Sequence, residues 1–116
     1  MKVVKLAEKL AQFSTHWDPH VVAEYNGNDI MVVKVQGEFE FHDHPDSDDF
    51  FLVLEGEIEL DVEDQTHVLG PGEMFVVPKG VRHRPRARQE AKVLLIEPQG
   101  LPNTGDAATA SKKPRI

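Results

Sequence analysis

Between residues 20 and 97, β-branched and aliphatic runs of roughly four to eight residues alternate with turn formers at short, regular intervals. Runs of this length, rich in β-branched residues and bounded by turn formers, read as strands, and their close spacing leaves little room for the helical crossovers that a parallel sheet needs. Strands are predicted near 20–25, 30–36, 38–44, 50–55, 57–62, 66–69, 74–77, 82–87 and 91–97. The breaks have a chemical basis: Asn26-Gly27-Asn28-Asp29 reads as a hairpin turn, and Gly37, Gly56, Gly70-Pro71-Gly72 and Pro78-Lys79-Gly80 stop strand pairing. The fold class that follows is all-β, a sandwich or barrel.

Outside this stretch the texture differs. Val3, Leu6, Ala7, Leu10, Ala11 and Phe13 recur at three- and four-residue spacing, which predicts one short N-terminal helix over about 3–13 before Pro19. Residues 99–116 are rich in turn formers and end in Lys112-Lys113-Pro114-Arg115-Ile116, a pattern expected of a solvated, fraying tail. The chain therefore divides into a helix and connector (1–19), a β domain (20–98) and a C-terminal tail (99–116).

In an extended strand, residues two apart share a face, so His42 and His44 present two imidazoles side by side. Asp49 follows a carboxylate-rich turn and lies within reach of the pair. The chain has no cysteine, so any metal site draws on His, Asp or Glu, a donor set suited to iron, manganese, nickel or zinc. A lone His-x-His is a weak signal by itself, and His16, His20 and His67 receive no role.

The surrounding residues sharpen the signal. Gly37, His42, His44, Asp49 and Gly56 form one spaced set, and Gly72, Pro78, Gly80 and His83 form a second. Together they resemble the two signature motifs of the cupin family, strongly over residues 37–87. The resemblance implies a jelly-roll β-barrel enclosing one divalent metal ion, with His42, His44, Asp49 and His83 at the ligand positions. It also implies a homodimer. Three departures stand out: the gap from Gly37 to His42 is one residue shorter than the commonest form, Asp49 replaces the usual Glu, and Ala87 stands where Asn is often found. Only Asp49 bears on chemistry. Its shorter side chain must approach from a closer backbone to reach a metal–oxygen distance of ~2.0–2.2 Å. It is then a ligand, a partner orienting an imidazole, or a group linked through water.

Alternation carries further expectations. With His42 and His44 inward, Phe39 and Phe41 should face away and form an apolar patch for a second copy or the helix. With His83 inward, Arg82, Arg84, Arg86 and Arg88 should point outward and pair with acids on neighbouring strands. The inward residues of 50–55, 57–62 and 91–97 read as mostly aliphatic, without a distinctive recognition group.

A formal charge of −7 disfavours nucleic acid as a partner, and no apolar run approaches the ~20 residues of a membrane-spanning helix. A soluble, cytoplasmic protein with a small-molecule ligand is expected. The implied activities are metal-dependent dioxygenase or isomerase/lyase chemistry on a small organic molecule, with a non-catalytic small-molecule or metal-binding module as the alternative.

Overall fold

A computed structural model describes residues 1–116. It contains one helix, α1 (Leu6–Leu10), and seven antiparallel strands: β1 (His20–Tyr25), β2 (Asn28–Glu38), β3 (Asp49–Glu55), β4 (Ile58–Val62), β5 (Gln65–Leu69), β6 (Met74–Val77) and β7 (His83–Pro98). No helix is long and apolar enough to cross a membrane. The strands run β1-β2-β7-β3-β6, with β4 pairing both β7 and β5.

The long strand β7 organises the jelly roll. Its C-terminal half pairs with β2 through Ile30↔Ile96 and Val33↔Val93, and with β3 through Phe51↔Leu95 and Val53↔Val93. Its N-terminal half instead pairs with β4, from Glu59↔Arg86 to Val62↔His83. The register shift between Val35 and Gly37 lets β2 follow this bend, and the positive φ of Gly37 (84°) fits glycine. Along β7 the odd-numbered His83, Pro85, Ala87, Ala91, Val93, Leu95 and Glu97 are buried and only Gln89 of that parity is exposed, so one face of the strand lines the barrel on either side of residues 88–90. Those apolar side chains pack against Val33, Val35, Phe51, Val53, Ile58 and Leu60.

Four sequence expectations are corrected. The predicted strands 82–87 and 91–97 are one, because Arg88-Gln89-Glu90 continues the extended path. The predicted strand 38–44 is absent beyond Glu38. There the Phe39 amide donates to the Pro85 carbonyl (3.0 Å), but Pro85 has no N–H to return, so the ladder lapses until the isolated bridge between His42 and His83. The helix covers five residues, starting at Leu6 and not at Val3, and buries only Leu10, while Val3 and Val4 lie before it and are exposed.

The fourth correction concerns the C-terminal residues, which dock instead of fraying. The Val21 amide donates to the Pro114 carbonyl (2.8 Å), the Ile116 amide to the Val21 carbonyl (3.0 Å), and Lys9 Nζ to the Ile116 carbonyl (2.7 Å). Arg115 pairs with Glu24 and Asp29, and Lys113 with the buried Glu97. The segment thus covers the outer edge of β1, which would otherwise present unpaired backbone groups.

Candidate metal centre

The two glycine-bearing segments meet at the histidines. The His42 amide donates to the His83 carbonyl (3.0 Å) and the His83 amide to the His42 carbonyl (2.9 Å), which fixes both backbones side by side. The turn at Pro78-Lys79-Gly80 closes over the other segment: the Gly80 amide donates to the His44 carbonyl (2.9 Å), and the Lys79 amide to Asp48 Oδ1 (3.0 Å). Gly80 adopts φ 77°, a conformation that a side chain disfavours. Asp49 opens β3 directly opposite Val77.

These constraints bring His42, His44, Asp49 and His83 together, all buried, with one candidate ligand atom from each within 4.8 Å of all the others. Three imidazole Nε2 atoms surround a single carboxylate oxygen. Asp49 Oδ2 lies 2.7 Å from His83, 3.3 Å from His44 and 4.0 Å from His42. A carbonyl only accepts, so His42 Nδ1 donates to Glu40 O (3.0 Å) and His83 Nδ1 donates to Val81 O (2.8 Å). Both rings are therefore oriented by backbone, with Nε2 turned to the centre, as in metal-ligating histidines. Phe51 meets His83 edge-on with ring centroids 6.0 Å apart.

The donor set fits a cation. His44 Nδ1 and Nε2 and Asp49 Oδ1 are buried and accept or donate no hydrogen bond, an expensive condition for polar atoms unless another group satisfies them. The protonation pattern agrees. Burial pushes His42 down to about 4, which keeps its imidazole neutral and free to ligate. Burial would raise Asp49, yet the His44 and His83 imidazoles hold it at about 2, ionised. Burial would lower His44, but the Asp49 carboxylate outweighs it and raises the imidazole above its ordinary value.

The cluster opens on an apolar cavity of about 50 Å³, room for a few waters, into which His42 and Asp49 project. Phe39 lines it as well, stacked on Trp17 at 4.9 Å and edge-on to His42 at 5.3 Å. This overturns the outward placement of Phe39, since strict alternation ends where residue 39 leaves the ladder. Phe41 is covered by the guanidinium groups of Arg82 and Arg84, at 5.2 and 4.6 Å, so the two phenylalanines form no exposed apolar patch. The arginines do point outward. Arg84 and Arg86 pair with Asp61, and Arg86 and Arg88 with Glu59, which holds Asp61 far below the usual carboxylate range. His16, His20 and His67 lie outside the cluster: His16 meets Glu90 at 2.8 Å, while His20 stacks on Phe13 and His67 meets Phe75 at a tilt, with centroids 4.6 Å apart.

Two polar residues of the cavity wall, Glu97 and Asn103, carry no assigned role in the sequence. Glu97 is 3% exposed and shares the cavity with His42 and Asp49, contrary to the expectation of a mostly aliphatic lining without a distinctive recognition group. Burial and the neighbouring Asp49 charge raise its carboxyl, opposed by Lys113 at 3.1 Å. Its odd number, in step with Val93 and Leu95, is the signal that places it inward. Nothing in the sequence points to Lys113 or to Asn103, which also reaches the cavity from the C-terminal segment.

Known proteins share this frame. A family model described as a cupin domain matches residues 29–97. The chain is 36% identical over 94 residues to the uncharacterised protein YdbB of Bacillus subtilis (strain 168), covering 80% of this chain and 77% of YdbB. It is 34% identical over 91 residues to a 3-hydroxyanthranilate 3,4-dioxygenase of Jannaschia sp. (strain CCS1), covering 72% of this chain but only 50% of the dioxygenase. A cupin-2 domain protein of Shewanella frigidimarina superposes with a TM-score of 0.82 at 44% identity, covering 84% of this chain and 95% of that one. With the paired glycine-histidine segments and the seven-stranded jelly roll that sets them face to face, these matches establish that the chain belongs to the cupin-2 family.

Proposed function

We propose that the chain binds one divalent transition-metal ion at His42, His44, His83 and Asp49 and uses it to transform a small organic molecule in the adjoining cavity, with dioxygenase chemistry as the leading reaction. The observation that carries this reading is the convergence of three Nε2 atoms on one carboxylate at the wall of an apolar cavity, with the polar atoms of His44 otherwise unsatisfied. A bound ion at such a site supplies Lewis acidity and, when it is ferrous iron, the means to activate dioxygen.

The protein's own part is orientation and exclusion. Glu40 and Val81 carbonyls hold the His42 and His83 rings in the ligating tautomer. Asp49 offsets part of the ionic charge, and its neighbours keep it deprotonated. Trp17, Phe39 and Phe51 give the cavity a wall that favours an apolar body and limits water near the reacting centre. Similarity to a relative named as a dioxygenase supports the choice of reaction.

The test is a screen of small metabolites against the iron, manganese, nickel and zinc forms, following oxygen uptake and product. Oxygen uptake by the iron form, lost in His42→Ala, His44→Ala and His83→Ala, is the expected result. Tight binding without conversion by any form would replace the enzyme with a non-catalytic binding module.

A further inference from the structure

Glu97 is a buried carboxylate in a cavity that already contains Asp49, and none of the cavity-lining residues is Lys or Arg. Its Oε2 is engaged by Lys113 Nζ at 3.1 Å, from sixteen residues further along the chain, and Lys113 also donates to the Leu101 carbonyl. Oε1 accepts from no protein group. A pair kept only to anchor the C-terminal segment would be served as well by apolar side chains, since burying two charges costs several kcal/mol before any gain. The carboxylate is instead held at the edge of the cavity with one oxygen to spare.

We infer that Glu97 is the specificity-determining group of this cavity, selecting a compact, apolar-bodied and uncharged molecule that presents a hydroxyl or amino hydrogen to Glu97 beside the group that reaches the metal centre. The inference rests on the metal-centred function proposed above. The charge pattern carries it. Two carboxylates already balance a divalent ion and no Lys or Arg lines the cavity, so a ligand bearing its own carboxylate finds no unbalanced cation there, whereas a hydroxyl finds a charged acceptor in low dielectric, where such bonds are strong. Lys113 is a positioning residue here: it fixes the Glu97 carboxylate without entering the cavity lining.

The experiment uses the full chain loaded with zinc, which is redox-silent, and three aromatic probes of similar size: catechol, 2-methoxyphenol and salicylate. Calorimetry reads affinity, and elemental analysis reads metal content of the same samples. The wild type should bind catechol about ten-fold or more tightly than 2-methoxyphenol, which lacks one donor, and than salicylate, which adds a negative charge. Glu97→Gln should keep its zinc and lose most of both preferences. Glu97→Asp, which keeps the charge but withdraws it by one methylene, should weaken them in part and serves if the glutamine variant fails to fold. Equal binding of the three probes by zinc-loaded wild type overturns the inference and leaves the metal centre standing, as does an unchanged preference in a folded, zinc-loaded Glu97 variant. Wild type that takes up no zinc or other divalent ion overturns both.

Discussion

Replacing Lys113 with Met should destabilise the protein well beyond what a residue in a C-terminal segment usually contributes. Its side chain is 11% exposed and that of Glu97 3%, with Nζ and Oε2 3.1 Å apart. Removing one partner of a buried pair strands the other charge, typically at a cost of 3–5 kcal/mol. Two effects bring the value to the lower end. Glu97 can escape by taking up a proton, toward which burial and Asp49 already push it. The segment can also peel away, so the loss is limited by the free energy with which it docks. About 3 kcal/mol is therefore expected, which lowers Tm by roughly 12 °C in a chain of 116 residues. Hydrogen exchange locates the damage, because the Val21 and Ile116 amides are protected only by the docked segment. Adding Glu97→Gln to the Lys113→Met chain should recover part of the loss by removing the stranded charge. A Tm within about 2 °C of wild type, with Val21 still protected, would refute the buried pair as the clamp of this segment.

Two further perturbations test the fold and the electrostatics of the cluster. Gly56 has φ 81°, and a Cβ there would meet Ala91 Cα at 3.0 Å and the Glu90 carbonyl at 3.1 Å, so Gly56→Ala should cost about 2–3 kcal/mol in denaturant unfolding. Gly37→Ala, at φ 84° with open space around it, should cost only about 1 kcal/mol, and equal losses would contradict the packing argument. In the metal-free protein, NMR titration should find His42 deprotonating near 4 and His44 above 6.5. The signs are opposite: His42, depressed on folding, contributes stability above pH 6.5 that is lost as pH falls towards 4, whereas His44, raised, contributes stability below 6.5 that is lost as pH rises through its folded value. Identical titration of the two rings would contradict their different relations to Asp49.

Much of this protein is legible in its sequence, because spacing and turn chemistry are local. Asn26-Gly27, Gly56 and Pro78-Lys79-Gly80 do sit at turns, and the alternation along β7 correctly sends His83 inward and the arginines outward. His42, His44, Asp49 and His83 come together as their spacing implies, although through a segment that is not the strand expected. What stays hidden depends on pairing across the sheet. The lapse of the ladder at residue 39 follows from which edge of β7 Pro85 faces, and that is a property of register. Glu97 was readable from parity, but an acid among aliphatics gives no sign of what lies beside it. The docking of residues 99–116 depends on Lys113 finding Glu97 and on Pro114 and Ile116 finding the edge of β1, long-range contacts that a polar, turn-rich composition conceals.

Bound divalent metal per chain, measured by elemental analysis on protein equilibrated with iron, manganese, nickel or zinc and freed of excess, probes the centre most directly. One ion per wild-type chain is expected for at least one of these metals. His42→Ala, His44→Ala and His83→Ala should each lose most of it, and Asp49→Ala should retain a fraction if its carboxylate is linked through water or an imidazole. Wild type without bound metal, or three histidine variants that hold as much as wild type, would contradict a metal centre at His42, His44 and His83.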